Sequence, residues 1–177
     1  MTQRLMPRQQ VPALSIRTLG EEDWVLSERT PQHFTMLVFY RGLHCPVCRR
    51  YLVELNGLAD KFSERGVEVL CLSTDTEERA LQAKHSWGLD KLTVGYGLAI
   101  EAAREWGLYI SASRGKTSAG IEEPALFSEP GLFFVRPDAT LYWANISTMP
   151  FARPRFDDLL AAVDTVLKIN YPARGES

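Results

Sequence analysis

Long hydrophobic runs are missing from this chain. The longest uninterrupted apolar stretches hold five residues, Met36 to Tyr40 and Leu159 to Val163, whereas a membrane-spanning helix needs about 20, so no membrane partner is expected. The N-terminal stretch Thr2-Gln3-Arg4-Leu5-Met6-Pro7-Arg8 lacks the apolar core of a secretory signal. The expected location is therefore cytoplasmic, where thiols stay reduced. An excess of positive charge is also lacking. Twenty Lys+Arg stand against 22 Asp+Glu, a net charge of −2, and the sequence pI is near 5.9. Nucleic-acid-binding domains usually lie above about 9, so no nucleic-acid partner is expected. Cysteine is scarce, with three in 177 residues, too few for a disulfide framework. No internal repeat, low-complexity tract or break in composition divides the chain, which reads as one domain over 1–177.

What is present is ordinary globular composition, 45% apolar, 24% charged and 10% aromatic. The basic residues are lopsided, 15 Arg to 5 Lys, and Arg is the better fixed partner for anions. Val11 to Ile16 and Trp24 to Leu26 predict an N-terminal hairpin. Thr35 to Tyr40 is apolar on both faces, as in a buried central strand. Apolar positions at three- and four-residue spacing from Cys48 to Phe62 predict a helix that Gly66 stops, and Val67 to Ser73 predicts a second strand. Strand, helix and strand in this order make a βαβ unit with parallel strands. A helix over Thr76 to Trp87, a strand at Leu92 to Val94 and a helix over Leu98 to Trp106 follow. Ser111 to Pro130, rich in Ser, Gly, Pro and charge, predicts a long loop of the kind that acts as a lid. Gly131 to Val135 and Thr140 to Asn145 predict a hairpin, and Arg155 to Asn170 a last amphipathic helix. The fold class is α/β, with a mixed central sheet and helices on both faces.

Cys45 and Cys48 stand three apart between the first central strand and its helix, where open α/β sheets collect ligands and chemistry. Pro46 suits the first helical position, so Cys45 is expected at the N-cap and Cys48 in the first turn. Free backbone N–H groups and the helix dipole favour an anion there. Such placement lowers a thiol pKa from about 8.5 toward roughly 3.5–7.5, and the thiolate is the reactive form. Arg41, His44, Arg49 and Arg50 surround the pair. Cations at a helix start oppose the dipole by about 0.3–1 kcal/mol each, so the cluster makes sense if something negative must sit there. The plainer alternative is that Arg49 and Arg50 face solvent. A metal site is not expected, because a second CxxC or HxxxH is lacking. Pro46 and the helix start also argue against a buried, inert pair. Cys71, in an apolar strand, reads as a small buried hydrophobe.

The segment Phe39-Tyr40-Arg41-Gly42-Leu43-His44-Cys45-Pro46-Val47-Cys48-Arg49 resembles the active-site segment of the peroxiredoxin-like (alkyl hydroperoxide reductase C / thiol-specific antioxidant) family of the thioredoxin superfamily. The resemblance extends over nearly the whole chain and implies a thioredoxin-like fold. Peroxiredoxins show a Pro, then a Thr, then the peroxidatic Cys three residues after the Thr. Here Arg41 takes the place of the Pro, Cys45 that of the Thr, and Cys48 falls on the peroxidatic position. Pro130 stands where a peroxiredoxin Arg precedes a core strand, and instead resembles the cis-proline that faces CxxC in thioredoxins. Arg153, in Met149-Pro150-Phe151-Ala152-Arg153-Pro154, is a candidate to reach the same face.

The resemblance implies an antioxidant oxidoreductase that cycles a Cys45/Cys48 dithiol–disulfide. In the thioredoxin pattern Cys45 attacks and Cys48 resolves. In the peroxiredoxin pattern Cys48 is oxidised to a sulfenic acid and Cys45 closes the disulfide. The oxidant is a peroxide or a disulfide, no cofactor is implied, and an external thioredoxin- or glutathione-like thiol reopens the bond. A homodimer is compatible with this reading. Candidate residues that stabilise thiolate or substrate are Arg41, His44, Arg49, Pro130 and Arg153. The alternative is a non-catalytic redox sensor or binding module on the same fold.

Overall fold

The strand that positions the cysteines is β3, Phe34–Phe39, buried along its whole length. It pairs in parallel with β4, Val67–Leu72, on one side and antiparallel with β8, Gly131–Val135, on the other. With neighbours on both edges and packed layers on both faces, it has no solvent-facing positions, which accounts for its unbroken apolar sequence. The computed structural model describes residues 4–177. Around β3 it builds a seven-stranded sheet in the order β2 (Glu21–Val25), β1 (Ser15–Thr18), β5 (Thr93–Tyr96), β4, β3, β8 and β9 (Leu141–Ile146). The N-terminal hairpin is β1 with β2, and it joins the sheet through β5. β9 closes the other edge beside β8.

Helix α1, Pro46–Glu64, packs Leu52, Leu55 and Phe62 against the sheet, each such side chain contributing about 1.5–3 kcal/mol on burial. It ends where Gly66 turns the chain at φ +67°. A Cβ there would come within 2.7 Å of the Gln32 Cβ, so this reversal into β4 needs glycine. Helices α2, Glu77–Trp87, and α4, Phe156–Ile169, share the α1 face through Ala80, Ala83, Phe156, Leu159 and Val163. The opposite face carries α3, Ile100–Glu105, together with Ile16 and Trp24 from the N-terminal hairpin. Its core is aromatic: Trp106 lies 5.7 Å from Phe39 and 5.1 Å from Phe133, centroid to centroid. Helices on both faces of a mixed sheet match the expected architecture, and helix and strand ends shift by a few residues.

One expectation fails. Ser111 to Pro130 is not a structureless loop but a two-stranded ribbon, with β6, Ile110–Ala112, antiparallel to β7, Leu126–Ser128. Its polar tip is tied by backbone bonds, Ser113 to Ala125, Glu123 to Gly115 and Thr117 to Ile121. Strands of three residues leave too little periodicity to read.

Candidate active site

The turn from β3 into α1 presents the cysteine pair. Gly42 sits at φ +136°, and a Cβ there would lie 2.7 Å from the Asp75 carboxylate, so only glycine fits. Asp75 accepts the Leu43 backbone N–H at 2.7 Å and pairs with Arg79 at 3.2 Å. Burial pushes the Asp75 carboxyl up, and these partners counter it. The turn thus reaches α1 already braced from the end of β4.

Cys45 is the N-cap of α1 and Pro46 its first residue. The Cys45 sulfur accepts the Cys48 backbone N–H at 3.2 Å, the place where a helix start holds negative charge. The Cys45 thiol is lowered to about 7. A hydrogen bond from the Cys48 thiol is the main cause, and the Cys48 N–H, Arg41 and Arg153 add to it against the opposing effect of burial. Cys48 is driven the other way, first by burial and then by its role as donor to Cys45. The two thiols titrate as a pair, with the Cys45 thiol favoured to lose its proton first. Cys71 is pushed up by burial alone, as befits a core residue.

Both sulfurs are buried, Cys45 at 1% and Cys48 at 0% exposure, contrary to the expectation of an open pair. The reason lies in two covers. The β6–β7 ribbon caps one side: the Thr117 hydroxyl donates to the His44 carbonyl at 2.6 Å, and Phe127 lies 4.7 Å from the His44 ring. The segment before α4 covers the other side. Arg153 lies 4.1 Å above the Tyr51 ring, and its Nη1 is 3.6 Å from the Cys48 sulfur. Tyr51 donates its hydroxyl to the Pro154 carbonyl and so fixes this segment.

Of the candidate stabilising residues, Arg153 touches the pair, and Arg41 acts on Cys45 through its charge. Arg41 is pinned by Glu129 at 3.1 Å and stacks on Phe127 at 4.8 Å. Glu129, itself buried, also accepts the Ser111 hydroxyl at 2.7 Å. His44 does not supply a cation. Burial, helped by Arg41, lowers it to about 4, so it is a neutral ring at pH 7. Arg49 is exposed and is not among the leading influences on either thiol; it follows the solvent-facing alternative. Pro130 is not a cis-proline, for its peptide bond is trans. Its neighbours explain this: the Glu129 N–H donates to Tyr109 and the Pro130 carbonyl accepts from Ser147, which carries the chain extended from the ribbon into β8. Glu129, Asp75, Thr117 and Tyr51 were not singled out from the sequence. Only Asp75, in a Ser-Thr-Asp-Thr turn after a strand, carried a local signal.

A sheet of this order with a cysteine capping the first long helix is the arrangement of the thioredoxin superfamily. The AhpC/TSA family model matches residues 7–144, and the chain belongs to that family. No curated protein matches the sequence. Among solved structures, the reduced 2-Cys peroxiredoxin of Plasmodium vivax is similar at TM-score 0.76 and 15% identity, over 94% of this chain and 84% of that one. AhpC of Enterococcus faecalis gives 0.72 and 16%, over 97% and 99%. The peroxidoxin BcpB of Mycobacterium tuberculosis gives 0.71 and 18%, over 92% and 99%. The fold is the peroxiredoxin-like variant of the thioredoxin fold.

Proposed function

We propose that the chain is a thiol-dependent peroxidase that cycles Cys45 and Cys48 between dithiol and disulfide. The observation that carries this reading is the Cys45 sulfur at the head of α1, accepting the Cys48 backbone N–H at 3.2 Å with its thiol lowered to about 7, in a chain of the AhpC/TSA family. The Cys45 thiolate attacks one oxygen of the hydroperoxide. An S–O bond forms, the O–O bond breaks, and the departing oxygen takes a proton and leaves as water or an alcohol. The sulfur is oxidised by two electrons to a sulfenic acid. The Cys48 sulfur then attacks it, an S–S bond forms, and the hydroxyl leaves as water with the Cys48 proton. Two thiol groups of an external reductant reopen the bond by exchange and leave as a disulfide, returning both electrons.

Burial bears on the choice of oxidant. With Cys45 at 1% and Cys48 at 0% exposure, a hydroperoxide group enters with less movement of the covers than a protein disulfide needs. This supports a peroxide as oxidant. A second reading has Cys48 attack first, which its contact with Arg153 and its match to the peroxidatic position favour.

Peroxide consumption with dithiothreitol as reductant tests both. Turnover should scale with enzyme and vanish in Cys45→Ser, while Cys48→Ser still forms one trappable sulfenic acid per chain. The reverse pattern assigns the attack to Cys48. Reduction of insulin disulfides without peroxide turnover favours a disulfide reductase. Turnover with neither oxidant moves the assignment to a redox sensor.

A further inference from the structure

Beside the cysteines, a groove of about 340 Å³ runs between α1 and the segment before α4. Arg50, Arg153 and Arg155 line it, with Glu54 as the one acid and Val47 and Phe151 among the apolar walls. Three cations against one acid is a local excess in a chain whose net charge is −2. Little of this charge is neutralised by acids. Arg50 and Arg153 make no ion pair among the described residues, and Arg155 has only a loose one to Asp157 at 3.9 Å. Arg153 carries a buried Nη2 without a hydrogen-bond partner, which a ligand oxygen would satisfy. Arg50 lies early in α1, where a cation opposes the helix dipole.

The groove is tied to the sulfurs. Val47 lies between the two cysteines in the chain, and Arg153 touches the Cys48 sulfur at 3.6 Å. Its floor is firm, because Tyr51 holds Pro154 and stacks under Arg153. Phe151, 77% exposed, offers an apolar wall at the rim. Its size is at the small end of small-molecule sites, roughly 300–1,000 Å³, so it suits a compact molecule rather than a protein segment. Guanidinium groups match carboxylates in planar, two-point hydrogen bonds.

We propose that this groove is a carboxylate-recognition subsite for the co-substrate of the cysteine pair, with Arg50 and Arg155 as selectivity residues and Arg153 joining the subsite to the sulfur. The inference rests on the reading of Cys45 and Cys48 as a redox pair and names the chemistry of what meets them. The carboxylate is carried either by a small thiol reductant or by an organic hydroperoxide.

The test is an Arg50→Ser/Arg155→Ser variant, whose exposed positions leave the fold intact. Two preferences are measured as ratios of kcat/KM: glutathione over cysteamine as reductant, and linoleic acid hydroperoxide over tert-butyl hydroperoxide as oxidant. The variant should lose about tenfold of one preference, the scale of one charged hydrogen-bonded contact. Loss in the thiol arm identifies a reductant site, and loss in the hydroperoxide arm an oxidant site. Equal ratios in variant and wild type overturn the proposal. If no pair of substrates turns over, the redox reading has failed and S-methylglutathione binding by calorimetry decides the groove separately. Binding weakened about tenfold in the variant upholds the carboxylate site, and absent or unchanged binding overturns it.

Discussion

The two covers over the cysteine pair each meet one arginine, Arg41 of the β3–α1 turn under the ribbon and Arg153 within the segment before α4, and they treat it differently. On the ribbon side Arg41 is paired with the buried Glu129 and packed on Phe127. On the other side Arg153 is held over Tyr51 with no acid partner among the described residues, and its Nη1 lies 3.6 Å from the Cys48 sulfur. A paired charge loses much of its field but gains a fixed position, whereas an unpaired charge keeps its field and depends on packing for its place. Arg41 therefore acts chiefly as a structural brace of the β3–α1 turn that also tilts the thiol equilibrium. Arg153 is the charge left without an acid partner beside the Cys48 sulfur.

Arg41→Met gives the largest expected effect and the sharpest test of that division. It leaves the Glu129 carboxylate buried without its partner, and breaking such a pair costs about 3 kcal/mol. Denaturant unfolding should show this loss, and Arg41→Met/Glu129→Gln should recover most of it. If the double variant is no more stable than Arg41→Met, the pair is not what braces the ribbon side.

His44 belongs to the same closed side, and its neutrality has a pH signature. Its pKa is about 4 when folded and about 6.5 when unfolded. The unfolded state therefore binds more protons between those values. Stability is whole above pH 6.5 and falls as the pH drops toward 4. Relative to His44→Leu, the wild type should lose about 2 kcal/mol between pH 7 and pH 5. Parallel stability curves for the two proteins would mean that the ring takes up a proton freely in the folded state.

The open side is tested through reactivity. Arg153→Met removes the charge nearest Cys48 while keeping its bulk over Tyr51. Peroxide reactivity should fall about tenfold, and the pH midpoint for iodoacetamide labelling should rise by about one unit, equivalent to about 1.4 kcal/mol. Unfolding free energy should change by less than in Arg41→Met. A larger loss of stability than of reactivity would reverse the roles assigned to the two arginines.

The divide also explains what was legible before any coordinates. The β3–α1 junction is local: Pro46 at the first helical position and Cys45 at the N-cap follow from adjacent residues. The buried strands β3 and β4 announce themselves by composition. The covers are long-range. Glu129 meets Arg41 across 88 positions and Arg153 meets Cys48 across 105, and spacing along a chain carries no trace of such pairs. Arg153 was reachable only through the resemblance. Pro130 was misread because a proline before a core strand looks the same in cis and trans. His44 was misread because charge in a sequence assumes solvent, and Phe127 arrives from a ribbon whose short strands leave no pattern.

Arg49 provides the smallest expected effect and an internal control. By sequence it is the nearest cation after Cys48, and a reading based on adjacency gives it a full share in acidifying the pair. In the fold it is exposed and is not among the leading influences on either thiol. An exposed charge acts through high dielectric and salt, where interactions are about 0–1 kcal/mol, and as a cation early in α1 it opposes the dipole slightly. Arg49→Ala should therefore leave the labelling midpoint within about 0.2 units and unfolding free energy within about 0.5 kcal/mol. A midpoint shift as large as that of Arg153→Met would mean that proximity in sequence, and not the two covers, sets the charge on the sulfur.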